Sequence, residues 1–240
     1  MSTARLLIVQ TGTAEKSLRA AHGDYPDWFA RSLGFQMSVV RAHDGEKLGP
    51  ALDRAKPQGV IVTGSPLSVT EGAPWMLQLG DDLLRLGARG TPVLGVCFGH
   101  QLLARAAGGQ VVQNPRGREI GTVQVQLTEA GRRDPLFAWT TGGEIEVQAT
   151  HLDAVDPLPT GATLLASNEN SVAQAYRLSE AVAGVQFHPE LSAPAMRDLI
   201  LSRKEKLAAE GLSAEALAGQ VREVRAGEIL RAFADQATRA

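Results

Sequence analysis

The 240-residue sequence contains a single cysteine, Cys97, and it lacks any apolar run of the roughly 20 residues that a membrane span needs. One cysteine excludes an internal disulfide framework and suits a reducing compartment. The first apolar run, at residues 6–9, is too short for a secretion signal. We therefore expect a cytoplasmic protein with no membrane partner.

An excess of charge of either sign is also lacking. The formal net charge is -2, which gives no electrostatic reason to expect a nucleic-acid partner. The sequence has no internal repeat, no zinc-type spacing of Cys and His and no Gly-rich phosphate loop. We therefore expect no cofactor, no metal ion and no ATP-dependent synthetase chemistry. The hydrophobic content of 44% and charged content of 21% are ordinary for a globular protein with a sizeable core.

Apolar runs rich in β-branched residues alternate with helical patterns in the first hundred residues. Strands are predicted at residues 5–10, 36–41, 59–63 and 92–96, and helices at residues 24–33 and 75–86. This alternation predicts an α/β fold with a mainly parallel central sheet flanked by helices. Ligands bind such sheets at the carboxyl ends of the strands, where Cys97 and Gly64 both fall.

After Gly108-Gly109 the pattern changes to short segments, at residues 110–112, 121–127, 144–149, 163–167 and 173–178. These segments predict a small mixed or antiparallel sheet beside the parallel one. Helices are predicted at residues 196–209, from Ser213, and at residues 221–234. We assign residues 1–200 to the main domain and residues 201–240 to a C-terminal helical extension. This extension either packs as an added layer on the same domain or forms a homodimer interface.

The cysteine lies between a predicted strand and a predicted helix. The strand ends in Gly95-Val96-Cys97-Phe98-Gly99, and a helical stretch follows at residues 101–107. Glycines two residues before and two after Cys97 allow close packing, as in a nucleophile elbow with cysteine in place of serine. The N-terminus of the helix favours a thiolate. A lone cysteine after a buried strand is more often a small core residue, so the hypothesis needs a base.

A candidate base follows the apolar run at residues 181–187, in His188-Pro189-Glu190. Pro189 favours an extended backbone at His188, and residues i and i+2 of an extended chain point the same way. Glu190 can then orient the imidazole that takes a proton from Cys97. Read singly, His188 could be a capping or surface histidine and Glu190 a solvated charge. Together with the elbow they predict a catalytic triad of Cys97, His188 and Glu190.

Two motifs, Gly-Val-Cys-Phe-Gly-His-Gln at residues 95–101 and Gly-Val-Gln-Phe-His-Pro-Glu at residues 184–190, resemble those of class I (triad) glutamine amidotransferases. The sequence is most similar to the stand-alone branch that resembles the amidotransferase domain of GMP synthetase, over residues 5–200. The resemblance implies a flavodoxin-like catalytic domain with the triad Cys97, His188 and Glu190. It also implies hydrolysis of a γ-glutamyl amide through a γ-glutamyl thioester on Cys97.

The resemblance further implies an oxyanion hole. The segment Val-Ile-Val-Thr-Gly-Ser-Pro at residues 60–66 lies where the family has its oxyanion loop. Backbone N–H groups of the Gly64-Ser65 loop and of Phe98 are therefore expected to bind the oxyanion. Ser65 stands where many relatives have a second glycine, and a positive φ there would strain a serine.

Two further residues match substrate-binding positions of the family. Gln101 corresponds to a residue that contacts the bound glutamine in relatives, and His151 lies in a histidine-x-aspartate loop like the family's. We predict that both bind substrate. The alternative for Gln101 is packing within its helix, and for His151 a role without direct substrate contact. His100 is expected to cap or pack within the helix after the elbow.

Three functions stay open on the sequence. The first is a glutamine amidotransferase-like enzyme that releases glutamate and ammonia and works with a separate synthase subunit. The second is a free-standing γ-glutamyl peptide hydrolase or peptidase without ammonia transfer. The third is a non-catalytic binding module, which the presence of all three triad residue types argues against. The expected ligand of the first two is a small γ-glutamyl compound.

Overall fold

A nine-stranded sheet forms the centre of the fold. The structure is a computed structural model and describes residues 4–239. Within that range the strands are β1 (Leu6–Gln10), β2 (Ser38–Arg41), β3 (Gly59–Val62), β4 (Val93–Val96), β5 (Val111–Gln113), β6 (Glu119–Leu127), β7 (Glu144–His151), β8 (Asp153–Val155), β9 (Thr163–Ser167), β10 (Ala175–Arg177) and β11 (Val182–Val185).

Helices connect these strands and follow the last one. In chain order they are α1 (Lys16–His22), α2 (Tyr25–Leu33), α3 (Leu48–Ala55), α4 (Pro74–Ala88), α5 (Phe98–Ala106), α6 (Glu129–Arg133), α7 (Ala193–Ser202), α8 (Lys204–Ala209), α9 (Ala214–Gln220) and α10 (Glu228–Arg239). Asp24 begins α2 with a capping box, in which its carboxylate accepts from the helix backbone and Asp27 bonds back to the Asp24 N–H. Among residues 4–239, no helix has both the length and the apolar composition of a membrane span.

The strand order of the large sheet is β2-β1-β3-β4-β11-β10-β9-β6-β7. The first five strands pair in parallel and the last four join them antiparallel. The predicted α/β class is confirmed, and so is the small second sheet, which consists of β5 and β8. Most of the short segments predicted for the smaller sheet instead extend the central one, because β10 pairs along the edge of β11.

Side chains of the parallel strands alternate between two apolar layers. Leu6 and Ile8 pack in the same cluster as residues of α2 and α10, whereas Leu7 and Val9 pack in the cluster that contains residues of α3, α4 and α5. This is the pattern of a strand buried on both faces. Phe233 of α10 is buried in the first cluster, so the last helix completes the core on one side of the sheet.

The C-terminal helices differ in detail from the predicted ones. The helix predicted at residues 196–209 is interrupted at Arg203, which separates α7 from α8. The helix predicted at residues 221–234 begins only at Glu228. The Arg222 N–H donates to Thr122 Oγ1 at 2.9 Å, and the Arg222 carbonyl accepts from Gln148 Nε2 at 2.8 Å. The Arg222 backbone groups thus bond to side chains of β6 and β7 instead of forming the hydrogen bonds of a helix. Residue 200, where the main domain was predicted to end, lies inside α7.

Candidate active site

The turn between β4 and α5 holds Cys97 in a strained backbone conformation. Its φ is 51° and its ψ is -99°, and only Lys56 shares a positive φ among the non-glycine residues of the range 4–239. A Cβ on Gly95 would lie 2.5 Å from the backbone of Gly99, and a Cβ on Gly99 would lie 2.6 Å from the Val62 carbonyl oxygen. Both glycines therefore serve close packing, as the nucleophile-elbow prediction requires.

Parallel pairing of β4 and β11 brings the two motifs together. The register places Val185 beside Val96, so Cys97 and His188 both follow neighbouring strands at the same end of the sheet. His188 and Glu190 are buried. His188 Nδ1 and Glu190 Oε1 are 2.7 Å apart. Because the carboxylate is an acceptor, Nδ1 carries a hydrogen. Nε2 is therefore the ring nitrogen that is left to exchange a proton with Cys97.

The charge of this cluster favours a protonated imidazole. Burial disfavours the imidazolium, but the negative charges of Glu190 and Cys97 outweigh burial and raise the pKa of His188 to about 10. Within residues 4–239, His188 Nε2 is buried and has no hydrogen-bond partner of standard geometry. An imidazolium beside a cysteine stabilises the thiolate form of that cysteine.

Gly64 lies against both Cys97 and His188. A Cβ built on Gly64 would be 2.8 Å from His188 Cε1 and 3.7 Å from Cys97 Cβ. The imidazole and the cysteine side chain therefore lie next to each other, beside the carboxyl end of β3. Tyr25 reaches the same place, with Cε1 3.5 Å from that Cβ position. Burial raises the pKa of the Tyr25 phenol well above its usual value, so its hydroxyl stays protonated.

The segment predicted as an oxyanion loop lies next to the cysteine. Ser65 lines the same pocket as Cys97 and does not have a positive φ, so serine fits there without backbone strain. Its hydroxyl donates to the Thr11 carbonyl at 2.9 Å. Phe98 is the first residue of α5, where backbone N–H groups have no partner within the helix. The donor roles of Gly64, Ser65 and Phe98 stay predictions.

Gln101 and His151 also line the pocket. Gln101 Nε2 donates to the Asp153 carbonyl at 2.9 Å and to Gln186 Oε1 at 3.1 Å, which leaves the amide oxygen for a ligand. Both ring nitrogens of His151 are engaged, Nε2 with Glu119 Oε2 at 2.8 Å and Nδ1 with the Asp153 carbonyl at 3.0 Å. The predicted substrate contacts of both residues stay predictions.

Glu119 is a buried residue to which the sequence analysis assigned no chemistry. It is the direct cross-strand neighbour of His151 in the β6–β7 pair. Besides His151, it accepts hydrogen bonds from Asn168 Nδ2 and Gln174 Nε2, each at 2.6 Å. Burial raises the pKa of Glu119, but these donors outweigh burial and the net shift is downward. Only the register of β6 against β7 shows that Glu119 contacts His151, and that register cannot be read from the sequence.

His100 does not compete with His188 as a base. Its ring is fully buried and packs on the Tyr176 ring with centroids 4.5 Å apart. Burial lowers the pKa of His100 to about 3, which keeps the ring neutral. The ring packs on a side chain of β10, so the prediction that His100 caps or packs within its own helix is wrong.

A pocket of about 420 Å³ opens beside Cys97 and His188. Its wall includes Tyr25, Arg203 and Lys206, which the sequence analysis did not single out as site residues. Arg203 and Lys206 belong to the segment that the sequence analysis treated as an extension beyond the main domain. Within residues 4–239 no group of three or more His, Cys, Asp or Glu side chains is arranged to hold a metal ion.

A family model described as glutamine amidotransferase class-I matches residues 29–206. The chain belongs to this family. Class-I amidotransferases also share the fold: a glutamine amidotransferase from Thermotoga maritima superposes with a TM-score of 0.77 at 21% sequence identity, and the match covers 100% of both chains. One from Methylobacillus flagellatus gives a TM-score of 0.74 at 24% identity, covering 99% of this chain and 94% of the other.

The sequence relatives of this chain are of two kinds. A γ-glutamyl peptidase, peptidase 4 of Arabidopsis thaliana, is 30% identical over 200 residues, which are 81% of this chain and 78% of the relative. A GMP synthase (glutamine-hydrolysing) of Aeropyrum pernix is 37% identical over 166 residues, which are 67% of this chain and 29% of the synthase. The match to that synthase thus spans less than a third of its length.

Proposed function

We propose that this amidotransferase-family protein hydrolyses a γ-glutamyl amide bond through a γ-glutamyl thioester on Cys97. The observation that carries the proposal is the packing of Cys97 and the Glu190-bound His188 against Gly64, at the carboxyl ends of neighbouring strands. The raised pKa of His188 supports an imidazolium as the resting state of that ring.

In the first step the Cys97 thiolate attacks the γ-carbonyl carbon, and the carbonyl oxygen becomes an oxyanion. Backbone N–H groups of the Gly64-Ser65 loop and of Phe98 bind that oxygen. Each such donor contributes about 3 kcal/mol to stabilising the transition state. As the C–N bond breaks, the leaving nitrogen takes the proton from His188 Nε2. The products of this step are the thioester, the released amine or ammonia, and a neutral His188.

In the second step neutral His188 takes a proton from water, and the hydroxide adds to the thioester carbon. The C–S bond breaks and its electron pair returns to sulfur as thiolate. The γ-carboxyl group of the product then ionises in solvent. Glu190 holds the His188 ring in one orientation throughout and stabilises its positive charge.

Two leaving groups fit this chemistry. Ammonia released from glutamine would serve a separate synthase subunit, and the GMP synthase relative supports that function. An amino acid or peptide released from a γ-glutamyl peptide would need no such subunit. Similarity to the γ-glutamyl peptidase over most of both chains supports the second function.

The test compares Cys97→Ala and Cys97→Ser with the wild type on glutamine and on γ-glutamyl peptides, read by glutamate release. Both variants should lose activity by at least about a thousandfold while keeping the wild-type circular dichroism spectrum. A glutamine-analogue electrophile should label the wild type once, at Cys97, and mass spectrometry checks the position. Wild-type turnover by either variant, or labelling at another residue, would contradict the proposal.

A further inference from the structure

Two buried glutamines meet at the wall of the pocket. Gln101 of α5 lines the pocket together with Cys97. Gln186, which directly follows β11, is fully buried and does not line it. The two side chains are in contact, because Gln101 Nε2 and Gln186 Oε1 are 3.1 Å apart. The thioester chemistry uses neither amide, so a different role has to explain why both are buried here.

The orientation of the Gln101 amide is set by a backbone carbonyl. Gln101 Nε2 lies 2.9 Å from the Asp153 carbonyl oxygen, and a carbonyl oxygen only accepts hydrogen bonds. The N–H₂ group of Gln101 must therefore face Asp153. That carbonyl is itself held in place, because it accepts from His151 Nδ1 at 3.0 Å and because Asp153 pairs with Gln113 in the small sheet.

Gln186 takes the second hydrogen of that N–H₂ group. Since Gln101 Nε2 is a donor, Gln186 has to turn its amide oxygen toward it, because two N–H₂ groups would repel each other. The backbone of Gln186 is anchored, since its N–H donates to the Gln174 carbonyl at 2.8 Å. Both amide hydrogens of Gln101 are then used. Its oxygen accepts no hydrogen bond within residues 4–239 and is not sealed from the pocket.

This arrangement leaves Gln186 with an unsatisfied donor. In the part of the chain that the structure describes, Gln186 Nε2 is buried and has no hydrogen-bond partner. A buried amide donor without a partner destabilises the folded state, whereas an apolar side chain of similar shape would avoid that loss. Stability alone therefore does not favour a glutamine at position 186. Its presence is explained if its amide oxygen serves Gln101.

We propose that Gln186 is a positioning residue: it fixes the Gln101 amide with its oxygen toward the pocket, where that oxygen accepts a hydrogen bond from an N–H group of the substrate. The inference rests on the proposed γ-glutamyl hydrolase function. Without Gln186, the Gln101 amide keeps one bond, to the Asp153 carbonyl, and can rotate about it. Its oxygen then loses its fixed direction, and substrate binding weakens without a change in the chemical step.

The experiment is a double-mutant cycle of Gln186→Met and Gln101→Met, in which kcat and KM are measured by glutamate release from glutamine and from γ-glutamyl-alanine. Methionine is unbranched like glutamine but has no amide. Gln186→Met should raise KM about threefold to tenfold, the worth of one hydrogen bond, and leave kcat within about twofold. In the Gln101→Met background the same change should alter KM less than about twofold, because no amide is left to position.

Gln148→Met is the matched control. Gln148 is equally buried and does not line the pocket, but both of its amide atoms are paired. Its Nε2 donates to the Arg222 carbonyl at 2.8 Å, and its Oε1 accepts from Thr122 Oγ1 at 3.2 Å. Gln148→Met should therefore lower the midpoint of urea unfolding and keep the wild-type KM. Gln186→Met should show the reverse, with an unchanged or higher midpoint and a raised KM.

The outcomes separate the positioning role from the proposed function. An equal rise in KM in both backgrounds, an unchanged KM or a loss confined to kcat in Gln186→Met would overturn the role of Gln186. So would an unfolding midpoint that falls as far in Gln186→Met as in Gln148→Met, because Gln186 would then be a structural residue. A wild type that turns over no γ-glutamyl compound, glutamine included, would instead overturn the proposed function.

Discussion

Replacing Gly64 by alanine should slow the reaction while leaving the fold intact. The new methyl group would lie 2.8 Å from His188 Cε1, whereas ordinary contact begins at 3.4 Å, so the two groups must separate by about 0.6 Å. The imidazole cannot yield freely, because it is buried and its Nδ1 is bonded to Glu190. A misplacement of about 1 Å can cost about a hundredfold in rate. We expect kcat to fall about tenfold to a hundredfold.

The same variant should stay folded and lose no more than about 2 to 3 kcal/mol of stability. Gly64 does not have a positive φ, so alanine adopts its backbone conformation without strain. Overpacking by one methyl costs about 1–3 kcal/mol, and the lower entropy of the unfolded chain offsets about 0.4–1 kcal/mol of that. The backbone N–H of residue 64 is retained, so an oxyanion donor is not removed.

The assay is glutamate release at varied substrate concentration, together with thermal unfolding. Gly49→Ala is the control, because Gly49 lies in α3 without a positive φ and a Cβ there meets no atom within 4 Å. It should keep the wild-type kcat. A Gly64→Ala protein with wild-type kcat would refute the placement of His188 against Gly64, and so would an equal loss in Gly49→Ala.

Two further predictions follow from the buried carboxylates. The charges of Glu190 and Cys97 raise the pKa of His188 from 6.5 to about 10, so its stabilising contribution is complete below pH 6.5 and is lost as pH rises through 10. The kcat/KM should therefore fall as pH rises through about 10, and in Glu190→Gln it should fall at a lower pH. Glu190→Gln should also reduce kcat/KM less than His188→Ala does. A pH profile that does not shift, or the opposite order of the two losses, would contradict this. Glu119→Gln should lower the free energy of unfolding by about 1–3 kcal/mol, because a buried amide N–H₂ would then face donors; urea titration measures it, and an unchanged midpoint would count against the network.

Local chemistry made much of the site predictable. The glycines around Cys97 indicate a tight turn, whatever the rest of the fold. Pro189 favours an extended backbone at His188 without help from distant residues. The parallel strands carry enough β-branched residues to be located within a few positions. These features depend on neighbours in sequence, so periodicity and motif spacing are sufficient to find them.

Other features depend on pairings between distant segments. Residues 122–127 of β6 alternate clearly between polar and apolar side chains, yet alternation does not say which edge of a sheet a strand joins. Glu119 is an ordinary charged residue until the register sets it opposite His151. Arg203 reads as the middle of a helix until its bonds to Glu15 and Thr150 place it on the pocket wall.

The sequence by itself determined the nature of the groups proposed to react: one thiol on a constrained turn, one imidazole, and one carboxylate two residues beyond it. Only the tertiary structure decided that thiol and imidazole meet at Gly64 and that cations from the C-terminal segment line the same pocket. The reason is physical. Residue type and local backbone preference are properties of short segments, whereas distance between side chains far apart in the chain is set by strand pairing and core packing.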